Sequence, residues 1–139
     1  MNEKGIAYMK IAVITDDSQT ISAHFGRAQY YEVFTIEDGL VINRERRPKA
    51  NHNHFSGEHD HESHNEQHGT DPASEHRHKL MIESIADCQV VFARGMGRGA
   101  FTKLTSSGIR PIITEVSDIE NAVNDYVAGT LANHPERLH

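Results

Sequence analysis

The chain has 139 residues, 37% of them apolar, a formal net charge of −6 and a single cysteine, Cys88. That length suits one domain able to bury a core without disulfides, and a lone cysteine fits a reducing, cytoplasmic setting. The negative balance argues against a general nucleic-acid binder despite Arg44, Arg46 and Arg47. No apolar run approaches the roughly 20 residues that span a bilayer, and no apolar stretch of signal-peptide type follows Met1.

Residues 1–8 read as an extension, with Met9 a natural start for the folded part. MKIAVIT, residues 9–15, is a short buried strand ended by the polar loop Asp16-Asp17-Ser18. YYEVFTIE (30–37) and LVINRER (40–46) flank Asp38-Gly39, a strong hairpin signal. Pro48 is expected to end that ladder, because it has no amide to donate. Residues 49–73 carry Phe55 as their only large hydrophobe, so a flexible, exposed loop is expected there.

A helix should start near Asp71-Pro72, a good cap followed by a residue that fits the first helical position. Leu80, Met81 and Ile85, with Ile82 beside them, form its apolar stripe. Cys88–Ala93 reads as a buried strand, and Arg94–Gly99 as a glycine-rich turn. A helix then runs to about Ser107 and is closed by Gly108. Ile109–Thr114 is a further buried strand. Ser117-Asp118-Ile119-Glu120 has the pattern of a capping box for a last helix through Val127, ended by Gly129. The order implies an α/β fold. An antiparallel hairpin from the first half joins parallel strands from the second in one mixed sheet flanked by helices. The expected domain is 9–130, with 131–139 a tail.

Several places could carry chemistry. His52, His54, His59, His61, His64, His68, His76 and His78 fall close together, and imidazoles at such spacings can gather on zinc, nickel or copper. The bland alternative is a solvated linker, and no cysteine pair makes a zinc-finger frame. His24-Phe25-Gly26-Arg27 follows the first strand and belongs at a sheet edge, where a lone histidine is most often mere surface. Gly95-Met96-Gly97-Arg98 sits between a strand and a helix, where backbone amides can receive an anion. Its plainer reading is a turn that needs positive φ. Met96 offers a soft thioether, though such a residue more often packs. Cys88 reads as a small hydrophobe. Asp16-Asp17 are either turn-formers or, remotely, magnesium ligands of a nuclease.

Together MKIAVIT, Ile21–Ala28 (ISAHFGRA), Cys88–Phe101 (CQVVFARGMGRGAF) and Gly108-Ile109 before the last helix resemble the dinitrogenase iron–molybdenum cofactor biosynthesis family. The resemblance implies a ribonuclease-H-like α/β fold with a mixed five-stranded sheet. It also implies a non-enzymatic carrier of an anionic iron–sulfur or iron–molybdenum-type cluster, bound near His24–Arg27, with His24 as ligand. The Gly95–Arg98 turn would lie on the same side. Implied partners are the metallocluster and a cofactor-assembly or acceptor protein, with no nucleic acid and no membrane; the chain is expected to be a monomer. The histidine-rich stretch departs from the family pattern. It leaves open a metal-ion buffer or sensor for zinc, nickel or copper.

Overall fold

The computed structural model describes residues 8–49 and 72–138, and side chains in the first helix from His78 onward. The elements are β1 (Tyr8–Thr15), β2 (Tyr30–Glu37), β3 (Leu40–Pro48), α1 (Pro72–Glu83), β4 (Val90–Ala93), α2 (Arg98–Ser106), β5 (Arg110–Ile113) and α3 (Ile119–Ala128). A short 3-10 turn, Pro135–Arg137, follows.

The strands form one sheet in the order β3-β2-β1-β4-β5. β2 is antiparallel to both β1 and β3. β4 is parallel to both β1 and β5. Asp38 and Gly39 both have positive φ, 55° and 81°, the geometry that lets a two-residue turn follow the twist of its strands. β1 from Ile11 onward, β4 and the middle of β2 are buried, as strands covered on both faces must be.

The helices divide between the faces. The Tyr31 hydroxyl donates to the Met81 carbonyl in α1 (2.9 Å). Its neighbour Glu32 accepts from Arg44, which also donates to Glu120 in α3. Adjacent strand residues point to opposite faces, so α1 and α3 cover opposite sides. Phe92 meets Tyr126 of α3 edge-on, with centroids 5.5 Å apart. Met81 and Ile82 are buried on α1, and Ile85 is buried in the turn just past its end.

Five local expectations are corrected. β1 begins at Tyr8 rather than Met9. β3 extends two residues past Arg46, and its ladder ends at Pro48, which pairs with Tyr30 and has no amide to carry the pairing further. Cys88 precedes β4 instead of belonging to it. α3 is capped by Asp118, whose carboxylate accepts from Asn121 N (2.9 Å), while Glu120 turns away to Arg44. Residues 131–138 are packed rather than trailing. Ile113 N donates to Asn133 Oδ1 and His134 N donates to Ile113 O, covering the outer edge of β5.

Direction fixes what meets at one sheet edge. Parallel β1, β4 and β5 end there, and the pairing of Tyr30 with Pro48 brings the end of β3 to the same place. Residues 16–29, 94–97 and 114–118 therefore share one edge with Lys49. Such an edge, beyond the carboxyl ends of parallel strands, is where open α/β sheets commonly hold ligands.

Candidate functional site

The β1–β2 connection is built in two parts. In the first, Asp17 folds back on the chain. Its Oδ1 accepts from Thr20 N (2.8 Å) and Gln19 N (2.9 Å), and Thr20 Oγ1 donates to Oδ2 (3.0 Å). These bonds, those from Thr20 and Gln19 foremost, hold its carboxyl down at about 2. Asp16 Oδ1 accepts from Gln29 N (2.9 Å) and closes the base of the loop. Ser18, at φ 65°, gives its carbonyl to Arg44 and its hydroxyl to Arg46. Both carboxylates thus act as turn braces, an arrangement unlike a pair converging on a divalent ion. Two of the three basic-cluster arginines are tied up in the same brace. Arg47 is bonded to Glu45 and Asp87.

The second part crosses the tops of β4 and β5. Ile119 N donates to Gln19 O, and Ile21 N to Ser117 O. Arg94 N donates to Ser22 O (3.3 Å), and Phe25 N to Gly95 O (3.1 Å). This last bond joins the two segments singled out in the sequence, residues 24–27 and 95–98. His24 O then accepts from Arg27 N and Ala28 N, making a single tight turn.

Exposure sorts the residues of this joint. Phe25 and Met96 are buried struts, so any part they take in binding is through their backbone. Gly95 is also buried. His24, Gly26, Arg27 and Arg98 are exposed, and Gly97 is half-exposed. Positive φ occurs at Gly39, Gly108 and Gly129 among the described glycines, so the turn at 95–99 does not need glycine for its backbone angles. A Cβ placed on Gly26 or Gly97 would meet nothing within 4 Å. Neither strain nor packing asks for glycine there; what its absence of side chain provides is bare, approachable backbone. Gly97 is also the N-cap of α2 and makes no side-chain cap bond.

Lys49 was expected in the exposed loop, but it is fully buried. Its backbone amide donates to Gln29 O (3.0 Å) and its Nζ to Ala28 O (3.2 Å). Desolvation pushes the ammonium down to about 7, against a pull from Asp16. No local signal marks it, because its partners come from residues 25–31 and from α1. Cys88 is buried, and desolvation pushes its thiol up to about 12, which leaves it inert. His78 lies on α1 and is half-buried; His76 is in the same helix, its side chain outside the described residues. His52, His54, His59, His61, His64 and His68 lie outside the described residues. Among the described residues, no three His, Cys, Asp or Glu side chains are grouped to hold an ion.

The molecule is thus a small α/β protein whose glycine-rich strand-end turns form one open surface with an exposed imidazole and exposed arginines. It matches the dinitrogenase iron–molybdenum cofactor family over residues 8–129, and belongs to that family. No curated protein matches the chain significantly. Among solved structures it is similar to that of the protein PH0822, at 20% identity and a TM-score of 0.65, over 92% of this chain and 98% of that one. It is also similar to a Methanocaldococcus jannaschii protein whose description as a dinitrogenase is itself provisional (15%, TM-score 0.61, 93% and 97%). A third similar structure is the apo form of the orange protein from Desulfovibrio gigas (17%, TM-score 0.61, 91% and 93%). At these identities the likeness is one of fold.

Proposed function

We propose that this protein binds and carries an anionic iron–sulfur or iron–molybdenum-type cluster, as cargo, on the surface formed by residues 24–27 and 95–98. The observation that carries the reading is the Phe25–Gly95 backbone bond, which sets an exposed His24 beside a glycine turn whose backbone is open. His24 would supply an imidazole ligand. Backbone around Gly26 and Gly97, with Arg27 and Arg98, would offset negative charge. A single protein ligand suits cargo that must be released to an acceptor or assembly protein better than it suits a resident cofactor. We read the role as binding rather than catalysis. The sheet order, with its second strand antiparallel, favours a ribonuclease-H-like fold, and such a fold carries no implication of nuclease activity. The unit is read as one domain acting as a monomer, with no nucleic-acid or membrane partner.

A second reading has its own support. The histidine-rich segment is rooted at Lys49, on the same sheet edge as His24. Its imidazoles could gather zinc, nickel or copper as a buffer or sensor.

Elemental analysis with acid-labile sulfide on untagged, anaerobically purified protein separates the readings. The full chain is compared with one lacking residues 51–70. Iron or molybdenum with sulfide in both supports the carrier. Zinc, nickel or copper without sulfide, lost on deletion, supports the buffer. Neither result, after reconstitution with ferrous iron and sulfide and with zinc, overturns both.

A further inference from the structure

The buried lysine has no role in the reading above, and its surroundings are unusual. Lys49 Nζ faces the Phe25 ring at 4.8 Å and the Tyr31 ring at 6.0 Å. It lies 3.6 Å from the Met81 sulfur and donates to Ala28 O. Phe25 and Ala28 are the second and last residues of the His24–Ala28 turn. The side chain therefore reaches that turn from the core side, while His24 and Arg27 stand on the solvent side.

An aliphatic residue would fill this space without the desolvation cost of an amine. Lysine supplies what an aliphatic side chain lacks: a donor for the Ala28 carbonyl and, when it holds its proton, a cation for the ring face of Phe25. Both contacts fall on the turn, and the backbone bond from Lys49 N to Gln29 O lies next to it. Phe25 in turn holds Gly95 through its amide.

We propose that Lys49 is a positioning residue for the candidate cluster site, pinning the His24–Ala28 turn from beneath so that it stays docked on Gly95. This rests on the carrier reading for its function, but the pinning itself can be tested without cargo.

The test is amide hydrogen exchange by NMR on the full chain without added metal, wild type against Lys49→Met. Methionine keeps the length of the side chain and removes the amine. Exchange at Phe25 and Ala28 should quicken by at least about tenfold, with Val91 in β4 unchanged. Unchanged exchange at Phe25 and Ala28 would overturn the proposal. Loading with ferrous iron and sulfide as the probe should fall severalfold in the variant while its Tm stays level or rises. Loss of loading only alongside a lower Tm would make Lys49 an ordinary packing residue, and wild-type loading by the variant would end its positioning role. A wild-type chain that loads no iron and sulfide defeats the carrier reading, yet the exchange comparison still decides the pinning. Should the variant not fold, 15N-edited spectra of the wild type decide: cross-peaks from the Lys49 Nζ protons to the Phe25 ring are expected, and their absence overturns the proposal.

Discussion

The two parts of the β1–β2 connection are held by different groups, side-chain acceptors in the first and backbone carbonyls in the second. Between Asp16 and Thr20 the carboxylates and the Ser18 hydroxyl are engaged by backbone amides or by arginines from β3. Between His24 and Ala28 the backbone is tied down, but His24 and Arg27 stand exposed. A pair of acids is the more arresting motif on paper, yet its geometry is architectural. The plainer turn holds its side chains out on a fixed frame, which is what binding requires.

The comparison breaks most sharply at His24. His24→Ala should cut uptake of iron and sulfide by at least about tenfold, roughly 1.4 kcal/mol of binding. Its Tm should move by no more than about 2 °C, because the residue is exposed and its turn is held through the backbone. Parallel iron and sulfide assays on the two proteins check this. Full loading by the variant would remove the proposed ligand and leave the surface to its backbone and arginines.

Lys49 sharpens the contrast from below. Its ordinary value of 10.5 is lowered to about 7 in the folded chain. Between those values the unfolded chain holds a proton that the folded chain lacks. Folding is therefore penalised at and below about pH 7, and the penalty fades as pH rises toward 10.5. Asp16 opposes the shift, while Tyr31, whose own ionisation is suppressed by burial, stays neutral beside it. Lys49→Met should then raise stability at pH 6–7 by about 1–3 kcal/mol, with the gain shrinking at higher pH. Urea denaturation across pH is the measurement. A variant less stable than wild type at pH 6 would show that the ring and carbonyl contacts outweigh desolvation.

Asp17 should give the opposite dependence. Its carboxyl is lowered from 3.8 to about 2, so its charge favours folding above pH 4 and that contribution is lost as pH falls toward 2. Asp17→Asn keeps an acceptor for the loop amides and removes the charge. The acid limb of the stability profile should flatten between pH 4 and 2, with cluster loading untouched. Loss of loading in this variant would mean that the two parts of the connection are not independent.

Much of this was legible because its causes are local. The hairpin turn needs only Asp38-Gly39, and the ends of the second and third helices need only Gly108 and Gly129, all with positive φ. What was hidden depends on distant partners. Asp118 rather than Ser117 caps α3 because Thr20 bridges to Asp118 and Glu120 is drawn to Arg44 on β3. Lys49 sits in a polar stretch and looks solvated until Phe25, Tyr31 and Met81 close around it. The two turns of the site were each visible as motifs, but the Phe25–Gly95 bond spans 70 residues of sequence and only the fold supplies it.

The smallest effect is the most discriminating about where cargo would sit. Gly97 has φ −81° and ψ 163°, angles that alanine adopts freely, and its Cβ would meet nothing. Alanine is a poorer N-cap than glycine but restricts the unfolded chain more, and the two effects nearly cancel. Gly97→Ala should therefore change stability by no more than about 0.5 kcal/mol. If cargo rests on the backbone between the two turns, one methyl group still displaces it, and loading should drop severalfold; Gly26→Ala offers the same test from the facing turn. Loss in both variants would place the cluster between residues 26 and 97, against the backbone. Loss in neither would put it farther out, on the His24 and arginine side chains, where a methyl group at the floor cannot be felt.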